Sequence, residues 1–169
     1  MKPACLAVPA LALPLYALVA LSSLGAENFT PNPDAARWRT DHRIIDLHQH
    51  VEYAPERIAR AVRIMDASGI GIAVNLSGGY TTHKDDAPSD FERNKALADK
   101  LAPGRFLHYM NLDYTGWDKE DFSARAVKQV EEGHRLGAAG LKEYKRLGLY
   151  LRDGAGKLIK IDDPKLDPA

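Results

Sequence analysis

Apolar and polar positions alternate in two rhythms between residues 44 and 161. Short runs of β-branched and other apolar residues at 44–50, 70–76, 105–112 and 139–144 have strand character. The first reads as a buried strand. The second is apolar throughout, as in strands covered on both faces. Between these runs, apolar residues recur at three- and four-residue spacing, the mark of helices with one inner face. One helix starts at Pro55 and turns Ile58, Ala61, Val62 and Met65 inward, with Ser68-Gly69 to stop it. The next opens at Ser89 or Asp90 as cap, carries Phe91, Asn94, Leu97, Ala98 and Leu101, and ends at Pro103-Gly104. A third covers about 121–136, with Phe122, Ala126, Val127 and Val130 inward and Gly137 closing it. Beyond it, 149–152 and 157–161 flank Asp153-Gly154-Ala155-Gly156 as a small hairpin.

Strand and helix thus alternate four times, which predicts an α/β fold with a parallel sheet and crossover helices. The expected architecture is the first four βα units of a TIM (β/α)8 barrel. The alternative is a small open parallel α/β sheet of the doubly wound kind. Both place functional residues at the carboxyl ends of the strands. The last residues, Asp162 to Ala169, read as a loop with a helix about to start, so the chain is expected to be truncated. Its 169 residues fall short of the roughly 250 of a whole barrel.

The first residues follow another pattern. Met1-Lys2 is followed by a nearly continuous apolar run at 6–21 and then by Ser22-Ser23-Leu24-Gly25-Ala26. That order of charge, apolar run and small residues is the layout of a secretory signal peptide. Pro9 and Pro14 interrupt the run, which is shorter than the roughly 20 apolar residues of a spanning helix. The expected organisation is a signal peptide at 1–25, an irregular lead-in at 26–42 and the partial barrel at 43–169. The mature chain is expected to be exported, without a stable membrane anchor. Cys5 is the one cysteine, and cleavage would remove it. The mature protein would then have neither a disulfide nor a thiol nucleophile. Formal net charge is zero, which gives no basic stripe for nucleic acid; the expected partner is a small-molecule substrate.

The chemistry concentrates in Asp46-Leu47-His48-Gln49-His50. Alternation along a strand puts His48 and His50 on one face with Asp46 behind them. Two imidazoles at a strand's exit suit a divalent metal, zinc foremost, with Asp46 as an orienting group. A structural role for the pair is the competing reading. On the fourth run, alternation puts Lys142 and Tyr144 on one face and Glu143 and Lys145 on the other. Lys142 is a candidate for a carbamate that bridges metals or for an anion contact; a solvent-reaching lysine is the alternative. His42 and His83 are expected at the surface. His108 is expected to be a hydrogen-bonded core residue, and His134 to complement a helix end. Either Asn111 or Asp113 could face the pocket.

The segment Ile45-Asp46-Leu47-His48-Gln49-His50 resembles the first-strand His-x-His signature of the amidohydrolase superfamily. Gly69-Ile70, Pro103-Gly104-Arg105-Phe106, Gly140-Leu141-Lys142 and Leu147-Gly148-Leu149 are similar to the amidohydrolase-related branch, which contains aminocarboxymuconate-semialdehyde decarboxylase. The resemblance runs from about Arg43 to the last residue. It implies a metal-bearing barrel with His48 and His50 as first-strand ligands and further ligands on later strands. It also implies a metal-dependent hydrolase in which activated water attacks a carbonyl or similar carbon. A metal-dependent decarboxylase on the same scaffold, an inert fragment and a small binding module are the rival expectations.

Overall fold

The computed structural model describes residues 33–169. The proposed signal peptide, Cys5 and the first part of the lead-in lie outside the described residues. Four strands, β1 (Ile44–Gln49), β2 (Ile70–Asn75), β3 (Phe106–Met110) and β4 (Gly140–Leu141), form one sheet in the order β1-β2-β3-β4. Every pairing is parallel. The helices α2 (Pro55–Ser68), α3 (Asp90–Leu101) and α4 (Phe122–Arg135) make the crossovers. Strand order runs in one direction, without the reversal that defines a doubly wound sheet. Because crossovers of one hand stack on one face, this order puts the helices on a single side of a curled sheet. The fold is therefore an open parallel α/β sheet curled towards half a barrel.

The local signals act where expected. Ser89 caps α3 through a capping box with Glu92, and Gly69 ends α2 in the left-handed region at φ 74°. Ile58 and Met65 of α2, Ala73 of β2, Ala98 of α3 and Phe106 of β3 form the core between sheet and helices. A second core joins Leu112, Trp117, Phe122, Ala126, Leu147 and Ile159. Arg105 ties the start of β3 to its neighbours. Its guanidinium donates to the Ile70 and Gly71 carbonyls and pairs with Asp66 of α2.

Four expectations need correction. The lead-in is not wholly irregular, because α1 covers Pro33–Thr40. Pro33 fits a first helical turn, and Asp34 pairs with Arg37 one turn on. β1 is not a buried strand: Ile45 is 56% and Leu47 72% exposed. It is an edge strand that pairs with β2 alone among the described strands. The fourth strand is two residues long instead of six, so alternation does not extend to Lys142–Lys145. The expected hairpin shrinks to an antiparallel bridge between Arg152 and Leu158. Among the described residues, no helix is long and apolar enough to cross a membrane.

Candidate functional site at the carboxyl edge of the sheet

His48 and His50 emerge at the carboxyl end of β1 with ring centroids 5.2 Å apart, edge to face. Both are exposed. Curling brings the far side of the sheet close. The Tyr144 ring, just past β4, stacks on His50 at 6.1 Å. The Tyr144 hydroxyl donates to the Leu76 carbonyl, which fixes the ring over the exit of β2. Ser77 completes the arrangement: its Oγ lies 2.9 Å from His50 Nδ1. The hydroxyl can accept from Nδ1–H or donate to Nδ1; in the tautomer in which it accepts, His50 Nε2 keeps its lone pair for a ligand. Burial lowers the His50 pKa, and the neighbouring His48, Lys142 and Lys145 lower it further. All four influences favour the neutral imidazole, the form that coordinates a metal.

Asp46 serves this site differently from the expectation. The β1–β2 register shifts between Asp46 and Gln49, which interrupts simple alternation. The Asp46 carboxylate accepts from the His48 backbone N–H at 2.9 Å and from Gln49 Nε2 at 2.8 Å. It orients the backbone that carries the imidazoles, not a ring nitrogen. Asn75 anchors the following residues by accepting from Val51 N–H and donating to the Val51 carbonyl.

The exits of β3 and β4 enclose a cavity of about 280 Å³. Lys142, Glu143 and Tyr144 all line it, so the assignment of alternate residues to opposite faces does not hold there. Asp113 lines the cavity too, but its carboxylate is engaged by Thr82 Oγ1 and by the Thr115 N–H. Asn111 is buried and structural: it accepts from Gly79 N–H and donates to the Lys142 carbonyl.

The other histidines lie apart from this edge. His108 is 3% exposed on β3 and belongs to the core, as its sequence context suggested. Its Nε2 faces Asp99, an acceptor, at 3.2 Å, so Nε2 carries the proton and Nδ1 accepts from the Tyr53 hydroxyl at 2.9 Å. His83 is exposed, with Nδ1 at the Ala87 carbonyl, and His42 and His134 are exposed as well.

The donor set at the β1 exit suits a borderline metal such as zinc, but it consists of two imidazoles. Among the described residues, no group of three or more His, Cys, Asp or Glu side chains is arranged to hold an ion. Sequence reasoning missed Ser77 and Tyr144 as a stacking partner. Ser77 had a usable signal, since it directly follows an apolar strand on the same functional edge. Comparison with known proteins returned no matching family model, no matching curated protein and no matching solved structure.

Proposed function

We propose that this chain carries part of a metal-dependent hydrolase of the amidohydrolase type, built on barrel-like βα units, with His48 and His50 holding a divalent cation. Zinc fits the imidazole donors best. One observation carries the reading. Two adjacent imidazoles stand at the carboxyl edge of a parallel sheet, and Ser77 occupies Nδ1 of one of them, leaving Nε2 outward. When bound, such a cation supplies a Lewis acid that brings the pKa of water towards neutrality.

The protein's own residues do the rest. Ser77 holds the rotation of the His50 ring. Asp46 holds the β1 exit in the bulged conformation that presents both rings. Tyr144 stacks against His50 and supports the ring on that side. The adjoining cavity places Lys142 and Glu143 within the same edge, where a substrate would lie. A catalytic zinc ordinarily takes three protein ligands. The described residues supply two, so the reading requires another donor from outside them.

A screen of ester, amide and lactone substrates on zinc-loaded protein tests the activity. Hydrolysis that disappears on metal removal and in His50→Ala supports the reading. Turnover that is the same with and without metal contradicts it.

A further inference from the structure

Among the described residues, one face of the sheet is left open. Along β3, Phe106, His108 and Met110 are buried on the side of the helices, while Leu107 is 44% exposed. Leu107 pairs with Val74, and Ile45 of β1 pairs with Ile72. Paired residues of a parallel sheet share a face, so these four apolar side chains lie together on the side turned away from the helices. Tyr109 follows Leu107 on that side, with its ring against Gly140 of β4. An apolar sheet face is ordinarily buried, and parallel sheets are covered on both sides.

Both edges of the same sheet are free as well. β1 and β4 each pair on one side only among the described strands, and they run in the same direction. A twofold axis along the strands preserves that direction. It therefore sets β4 of one copy beside β1 of another in parallel pairing, and does so twice. The sheet is already curled towards half a barrel. Two sets of four strands give the eight at which a parallel barrel closes around an interior filled by side chains. Area separates closure from simple stacking of two faces. Four strands spaced about 4.8 Å apart and about six residues long offer a face of at most roughly 400 Å². A stable dimer covers about 800 Å² on each partner, so the face alone falls short by about half. Closure adds both edges and their flanks, where Ile64 of α2 is 52% and Leu141 of β4 37% exposed.

We propose that the open face and edges are an interface for a second copy of this chain. Two copies close into one eight-stranded parallel barrel, with β4 of each pairing with β1 of the other. Both carboxyl edges then open at one mouth, which brings the two histidine pairs to the same end. β4 adds only two ladder residues to each seam, so the dimer is weak, with a Kd of about 10–100 µM. The assembly does not depend on a metal at His48 and His50.

Sedimentation equilibrium of the full chain from about 1 to 200 µM tests it, with a chelator present so that metal plays no part. The mean mass is expected to rise from one chain towards two over that range and not to pass two. Ile45→Lys on β1 and Leu141→Lys on β4 stand at exposed positions where folding is not at stake. Each is expected to weaken the dimer about tenfold or more, because each puts a charge into the same seam. Leu101→Lys replaces an equally exposed leucine on α3, which connects the two middle strands, and is expected to dimerise like the wild type. A chain that stays monomeric at about 200 µM leaves the face to another occupant and overturns the proposal. Growth past two copies, an effect of one edge variant without the other, or equal weakening by Leu101→Lys overturns it too.

Discussion

Ser77 is the residue on which the geometry of the histidine pair turns. An exposed imidazole rotates freely unless one nitrogen is held, and the 2.9 Å contact to Ser77 Oγ holds Nδ1 of His50. Removing a partner of this kind commonly weakens metal affinity about 10–100-fold. Ser77→Ala is therefore expected to weaken zinc binding by that order, and Ser77→Thr to restore most of it, as read by competition with a chromogenic chelator. His108 makes a separate prediction. Burial, the largest influence, lowers its pKa below 6.5 in the folded chain, although Asp99 opposes that shift. The unfolded chain then binds more protons just below pH 6.5, so stability falls as pH drops from that value through the folded pKa. Asp99, itself lowered, adds a loss of the same sign at lower pH, below 3.8. Thermal midpoints across pH 5–8 are expected to show this decline in the wild type and to flatten over the upper part of that range in His108→Gln. At this scale the sequence was legible for the burial of His108 and for the placing of His48 and His50 side by side at the exit of the first strand. Asp46 was misplaced because a register shift cannot be seen in a strand's own residues.

At the scale of elements, the loops that leave the strands are held by close backbone approach. A Cβ on Gly78 would lie 2.3 Å from the Tyr109 carbonyl oxygen and 3.0 Å from the Phe91 ring. The Gly78 N–H donates to that same carbonyl. Gly78→Ala is thus expected to destabilise the fold by about 1–3 kcal/mol in denaturant melts, since backbone must shift. It is also expected to displace Ser77 and so weaken metal binding. The helices were legible because caps and apolar spacing coincide, as at Ser89 with Glu92 and at Pro55 with Gly69. The length of β4 was not. Residues 139–144 have strand-like composition, but Asn111 and Tyr144 draw the chain out of the ladder after Leu141. The helix at Pro33–Thr40 was hidden by Pro33 and the Pro31 that precedes it, since proline signals a loop as readily as a first turn.

Among the described residues, β1 presents an open edge of the sheet, with Ile45 and Leu47 exposed beside it. Exposed apolar strand edges pair with other chains unless they are charged or covered. Leu47→Lys is expected to lower concentration-dependent association in light scattering while leaving the melting temperature nearly unchanged; equal association in both proteins would count against an unprotected edge. The succession of βα units was readable from periodicity alone. The one-way strand order was not, because it depends on the hand and stacking of crossovers that no local pattern encodes.

Under the proposed function, the imidazoles of His48 and His50 hold one divalent cation between them at the exit of β1. Calorimetric zinc titration of the wild type and of the His48→Ala/His50→Ala double variant tests it most directly. About one equivalent is expected to bind per chain in the wild type and none at the same concentrations in the variant. Equal stoichiometry and affinity in the two proteins would contradict it.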